Sequence, residues 1–285
     1  MTGTIQIHKS YAASLHMRRM EPAKADSAPS LVFLHGNSFD GGIFENLMLH
    51  PALADRDLVA FDLPGHGESA CLPQSQSYNF GSMADRVGEA LEDAEISNAL
   101  LVGWSLGGHV ALEALDRVPG VSGALVCGMP IMPNNPIASL FAMHFTAAML
   151  LASKRNFTHT DAVRFERLAL GARANGTHVP AMLRADGRAR SEIAQSVLRG
   201  TNRDQRNLAI EAGRRLCIIN SINDPLIRSD YVARFAEQTG FSGMVKKMDG
   251  TGHAPFLDKP EAFLSVIDQF EASLAQGADQ LAKAA

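Results

Sequence analysis

The pentapeptide Gly103-Trp104-Ser105-Leu106-Gly107 sets a serine between two glycines, with an apolar run (Ala99–Val102) before it and a helical pattern after it. This is the signature of a sharp strand-to-helix turn that lifts a serine hydroxyl clear of a sheet. The backbone there is strained, and side chains two positions away would collide. The helix start behind it directs N–H groups and partial positive charge at the same point. A serine is a weak nucleophile until a base, itself held by an acid, takes its proton. In chains with this turn the acid follows the serine and the histidine comes last. Two later loops supply them. Asn223-Asp224-Pro225 follows the apolar run Leu216–Asn220, and Gly250-Thr251-Gly252-His253-Ala254-Pro255 follows Met244–Met248. His253, between small neighbours, is the expected general base and Asp224 the acid that orients it. Asp224 also suits an Asx turn before proline. Asp230 and Asp249 are rival acids, Asp230 fitting better as a helix cap. His109 is expected to pack beneath the turn rather than to act as the base.

Acyl transfer also needs donors for an oxyanion. The backbone N–H of Leu106, directly after the serine, is one. The loop His35-Gly36-Asn37-Ser38, which follows the run Leu31–Leu34, offers the N–H of Asn37 as the other. The loop Asp62–Ser69, rich in Gly and Pro, reads as a tight turn with no catalytic role.

Elements must hold these groups at one edge. Short runs of Val, Ile, Leu and Phe at 30–34, 58–62, 99–104, 123–127, 215–220 and 243–248 read as buried parallel strands. Helical patterns alternate with them. Phe80–Ala94 repeats apolar residues at Met83, Ala84, Val87, Ala90, Leu91 and Ala94, and further helices are expected over 106–118, 229–238 and 260–274, with the Ala-rich tail after Gln276 fraying. The segments 4–10 and 15–20 read as an antiparallel pair at the sheet edge. The expected fold class is α/β, a mostly parallel, doubly wound sheet.

The stretch 128–214 holds no convincing strand. It carries helical runs at 137–153, 160–171, 180–185 and 190–198, entered past Pro130, Pro133 and Pro136. It reads as a helical cap of residues 129–214 inserted into a core of 1–128 and 215–285. Its place in the chain puts it over the strand ends where open α/β sheets bind ligands.

Composition bounds the partners. The chain has 285 residues, 26 Lys+Arg against 30 Asp+Glu, and a formal charge of −4. No basic excess favours nucleic acid. No apolar run is long enough to span a membrane, and Met1–Ser10 lacks the pattern of a secretory signal. Cys71, Cys127 and Cys217 are odd in number and far apart, which suits a reducing cytoplasm rather than a disulfide framework. The ten histidines are scattered without metal-binding spacing, so neither metal nor organic cofactor is expected.

Taken together, His35-Gly36-Asn37, the Asp62–Ser69 loop, the serine turn, Asp224 and Gly252-His253 make the chain resemble the α/β-hydrolases from Thr4 to about Leu274. A narrower set is similar to the metal-independent N-acyl-homoserine lactonases of that fold. It comprises Gly103 to His109, His35 to Ser38, Asp186-Gly187-Arg188-Ala189-Arg190, Asn207, and Gly252 to Phe256. This second resemblance implies a carboxylic-ester hydrolase that opens the lactone ring of quorum-sensing signals. General carboxylesterase, carbon–carbon bond hydrolase and a ligand-binding receptor on the same fold are the alternatives. One departure stands out. Such lactonases can use a cap tyrosine on the substrate carbonyl, yet Tyr11, Tyr78 and Tyr231 all lie outside the cap, and Phe165 sits where one would be sought. For the acyl pocket the sequence offers Trp104, Phe141, Phe145, Met149 and Phe165, methionine being a deformable lining. Arg188 and Arg190 are expected as solvated helix-end arginines, with a carboxylate product as their other use.

Overall fold

The computed structural model describes residues 7–22, 28–144 and 146–284, with side chains at 140, 147–149 and 278–284 left aside. Eight strands form one sheet in the order β1-β2-β4-β3-β5-β6-β7-β8. They are β1 His8–Ala12, β2 Leu15–Met20, β3 Ser30–Leu34, β4 Leu58–Phe61, β5 Ala99–Trp104, β6 Val121–Cys127, β7 Leu216–Ser221 and β8 Met244–Met248. β1 and β2 are antiparallel at the edge, β2 is antiparallel to β4, and every pairing from β4 to β8 is parallel. The expected first edge strand at 4–10 falls partly on residues outside the description, and the strand seen there runs two residues further along the chain.

Strands β3 to β7 are apolar on both faces because helices cover both. In β3, Leu31 and Phe33 face one apolar layer while Val32 and Leu34 face the other, the two-residue alternation of extended chain. One layer is closed by α1 (Phe80–Asp93) and α2 (Leu106–Arg117), the other by the last helix. A capping box starts α1: Ser82 N–H donates to the Asn79 side chain, and Asn79 N–H to the Ser82 hydroxyl.

Between β6 and β7 the chain forms α3 (His159–Leu170), α4 (Val179–Arg184), α5 (Gly187–Arg199) and α6 (Gln205–Ala212). The apolar run 137–153 was expected as one helix and is not. It forms a short helix at Pro136–Leu140 and a 3₁₀ segment at Ala147–Ser153. Between them His144 N–H donates to Leu226 C=O and Arg228 N–H to Ala142 C=O, around an isolated bridge from Met143 to Ile227. The backbone there is committed to a neighbouring loop and cannot close helical turns. α6 carries no strong apolar rhythm and went unread in the sequence; it packs on α2.

Ser229–Thr239 forms α7, and Pro260–Ala284 forms α8, ten residues longer than the expected 260–274. The extension is rich in Ala, Gln, Leu and Lys, strong helix formers, so the Ala-rich tail continues the helix. Among the described residues, no helix is long and apolar enough to cross a membrane.

Candidate active site

Ser105 sits between β5 and α2 with φ 53° and ψ −116°, a strained position for a residue with a side chain. Neighbours enforce it. Ser105 N–H donates to Cys127 C=O on β6 (2.9 Å), and Gly108 N–H returns to Ser105 C=O (3.0 Å). A Cβ at Gly103 would strike the Gly107 carbonyl, and one at Gly107 would strike the Leu34 carbonyl at the end of β3. The two glycines therefore let the turn close onto the sheet, the second against β3 rather than against the first.

Asp224 and His253 meet beyond β7 and β8. The imidazole Nδ1 lies 2.9 Å from one carboxylate oxygen and 3.1 Å from the other. Both residues are buried. One Asp224 oxygen also accepts the N–H groups of Leu226 (2.8 Å) and Ile227 (3.0 Å). The expected Asx turn is thus real, and the same side chain holds the histidine. Burial alone would raise the Asp224 pKa, but His253 and these N–H donors outweigh it and hold the carboxyl below its ordinary range. The His253 carbonyl accepts from Trp104 Nε1 (2.8 Å), so the residue before Ser105 braces the histidine loop. The rival acids lie elsewhere. Asp230 is in the first turn of α7, paired with Arg228 and Arg234 on the surface, and Arg228 holds the N-cap position expected for it. Asp249 pairs with Lys247 in solvent.

Ser105, His253, Leu106 and Asn37 all border one cavity of about 350 Å³, within the range of small-molecule sites. The N–H groups of Asn37 and Leu106 have no partner among the described residues. The Ser105 hydroxyl is likewise unbonded; a serine–histidine hydrogen bond commonly tightens only around substrate. The arrangement can activate a hydroxyl toward a carbonyl carbon and hold the charge that then forms on its oxygen. Among the described residues, no group of three His, Cys, Asp or Glu is arranged to hold a metal ion.

The Asn37 loop is fixed from below and above. Below, His35 Nδ1–H donates to Gly36 C=O and Nε2 accepts from Leu63 N–H, both at 2.8 Å. Leu63 belongs to the Asp62–Ser69 turn. Asp62 there is fully buried and accepts from Arg18 (2.6 Å), Gly41 N–H (2.7 Å) and Glu68 N–H (3.0 Å). That turn is a structural support, as its residues suggested. Above, Asn37 Nδ2 donates to Ala152 C=O (3.0 Å), and Ser38 Oγ donates to Asn37 Oδ1 (3.1 Å).

Arg190 on α5 completes this upper clasp, which corrects the expectation of solvated arginines. It is only 2% exposed, and donates to Ser38 Oγ (3.1 Å), Lys154 C=O (2.8 Å) and Arg155 C=O (2.9 Å). Burial lowers its pKa to about 10, so it stays charged at neutral pH. Arg188 is buried too, donating to Leu72 C=O (3.0 Å) and Gln76 C=O (2.9 Å). With both heads engaged on main chain, neither is presented to a product carboxylate. Arg190→Lys is expected to lower stability by about 2–3 kcal/mol, because one ammonium cannot satisfy these three acceptors in a planar fan. Urea unfolding monitored by circular dichroism would register it, and an unchanged midpoint would contradict the clasp.

The remaining predicted pocket residues divide. Trp104 and Phe165 border the cavity, joined by Phe39, Met143 and Leu150. Phe141 does not border it and is 64% exposed. It lies just past the end of the short helix Pro136–Leu140, as its C-cap residue. Phe145 lies outside the described residues, as does the side chain of Met149. Cavity residues that sequence reading missed include Phe39, Phe80, Met132, Ile193 and Ile227, scattered over five separate segments.

Residues 31–266 match the family profile described as alpha/beta hydrolase. The chain belongs to the alpha/beta hydrolase family. Among curated relatives, this hydrolase is 31% identical over 261 residues to the pimeloyl-[acyl-carrier protein] methyl ester esterase of Methylococcus capsulatus, covering 86% of this chain and 95% of the relative. It is 32% identical to a 2-succinyl-6-hydroxy-2,4-cyclohexadiene-1-carboxylate synthase of Escherichia coli over 179 residues, 55% of this chain and 67% of the other. Among solved structures, N-acyl homoserine lactonase AidH complexed with N-butanoyl homoserine superposes with a TM-score of 0.83 at 27% identity, covering 95% of this chain and 98% of that one. No tyrosine of this hydrolase borders the cavity among the described residues, and Phe165 does.

Proposed function

We propose that this hydrolase cleaves neutral acyl esters and lactones through Ser105, His253 and Asp224, with N-acyl-homoserine lactones as the preferred class. The observation that carries the proposal is the Asp224–His253 pair opening, beside Ser105, on a cavity whose described lining has no Asp, Glu, Lys or Arg. Such a lining accepts an uncharged acyl group and disfavours a carboxylate. Residues 129–214 act as the cap over a core of 1–128 and 215–285, with α6 as its foot on the core.

In this scheme Ser105 Oγ attacks the carbonyl carbon while His253 takes its proton. The oxyanion forms against the N–H groups of Leu106 and Asn37. As the tetrahedral intermediate collapses, the ring C–O bond breaks and His253 returns the proton to the alkoxide, leaving an acyl-enzyme whose alcohol remains tethered. Water, activated by His253, then releases Ser105 and the ring-opened hydroxy acid. Asp224 holds Nδ1–H throughout, so Nε2 is the nitrogen that exchanges protons. Polarisation of the carbonyl rests on the two N–H groups, since Phe165 offers no hydroxyl.

The similarity to AidH supports the lactone class, and the esterase relative supports linear esters as a second reading. A carboxylate-bearing substrate of carbon–carbon hydrolysis sits poorly with the uncharged lining, and tight binding with negligible turnover would instead mark a ligand-binding receptor on the same fold. Incubation with N-acyl-homoserine lactones of several chain lengths, followed by mass spectrometry, is expected to yield product one water heavier. No turnover of any lactone, with rapid cleavage of aryl esters, would transfer the assignment to a general carboxylesterase.

A further inference from the structure

His109 borders the cavity without a part in the acyl chemistry. His109 lies on α2, and its N–H donates to Ser105 C=O at 3.3 Å, which places it one turn beyond the serine. Helical side chains lean back toward the N-terminus, so the ring points toward the serine end of the cavity floor. The ring stacks on Phe80 with centroids 4.6 Å apart and an interplanar angle of 13°.

Its tautomer is set by Gln205, the first residue of α6. Gln205 is 1% exposed, and its own N–H donates to Met132 C=O (2.9 Å). Gln205 Nε2 donates to the His109 carbonyl (3.4 Å), which turns Oε1 toward the ring, 2.7 Å from Nδ1. Oε1 can only accept, so Nδ1 carries the proton and Nε2 keeps its lone pair. That nitrogen has no partner among the described residues. Burial lowers the His109 pKa to about 4, so near neutral pH the ring is uncharged and Nε2 remains an acceptor only.

We propose that His109 determines specificity: Nε2 accepts a hydrogen bond from a hydroxyl or amide N–H carried by the acyl substrate about one helical turn from the scissile carbonyl. A ketone at that place would set lone pair against lone pair and is disfavoured. The idea rests on the acyl-substrate reading above, but it can be measured without turnover.

The probes are N-methyl amides of straight-chain acids, which resist hydrolysis. One set is unsubstituted, one bears a hydroxyl moved carbon by carbon along the chain, and one bears a ketone at the same carbons. Calorimetry on the wild-type protein is expected to find a hydroxyl position that binds about fivefold to tenfold tighter than the ketone at the same carbon. His109→Phe, which keeps the stacking on Phe80, should abolish that preference and move the affinity of the unsubstituted amide by no more than about twofold. Gln205→Leu releases the tautomer, lets Nε2 carry the proton, and should raise the affinity of the ketone toward that of the hydroxyl. A wild-type protein indifferent to hydroxyl and ketone at every carbon would overturn the proposal. So would a preference that survives in both variants. Discrimination without any ester or lactone hydrolysis would instead count against the catalytic reading alone.

Discussion

Ser105→Ala is expected to lower kcat on lactone or ester by about 10⁵–10⁶-fold while leaving the fold intact. The hydroxyl is unbonded to any described residue, so its removal orphans no buried partner. The backbone is a separate matter. Ser105 occupies φ 53° because Cys127 C=O and the start of α2 hold it there, and alanine meets the same steric cost as serine. The melting temperature should therefore stay close to wild type while turnover disappears. Residual turnover of several per cent would mean that another group performs the attack.

Asp224→Asn is expected to lower kcat by about 10⁴-fold. The reason lies in which oxygen is already engaged. One carboxylate oxygen accepts from Leu226 and Ile227 N–H, so the carbonyl of an introduced asparagine is drawn to that position. Its NH₂ then faces His253 Nδ1, which must become the acceptor. The proton moves to Nε2, and the base is blocked at the atom that faces the reaction. The substitution also carries a pH signature. A carboxyl held below its ordinary pKa contributes stability that is complete above its unfolded value, near 4, and is lost as pH falls through the folded value. The stability gap between wild type and Asp224→Asn should therefore be largest near neutrality and shrink under acid. Steady-state kinetics and melting temperatures between about pH 3 and 7 would measure both effects. An asparagine variant with near-normal kcat would remove Asp224 from its role.

What the sequence revealed and what it hid follow one physical division. The serine turn was legible because its two glycines are dictated by local sterics, and Asp224 and His253 because each lies just beyond a run that reads as a strand. The strand runs were legible because parallel strands covered on both faces are nearly continuous in apolar residues. Groups whose partners are backbone carbonyls elsewhere were hidden. Nothing near Arg190 in sequence announces Lys154 and Arg155 C=O, or Ser38 on a loop before β4. The run 137–153 has the composition of a helix, and only its pairing with the loop after β7 breaks it in two. Phe141 caps the first of the two pieces and faces solvent, where a continuous helix would have carried it on. The spacing of His109 puts it beneath the serine turn, but the hydrogen bond that holds its ring comes from Gln205, ninety-six residues away.

The most direct measurement is intact-protein mass spectrometry on acid-quenched turnover, followed by peptide mapping. The hydrolase mixed with a slowly deacylating acyl ester should gain the mass of one acyl group. That mass should map to the peptide containing Ser105 and be absent from Ser105→Ala. Steady hydrolysis with no adduct on Ser105, or with the acyl group on another residue, would contradict the assignment of Ser105 as nucleophile.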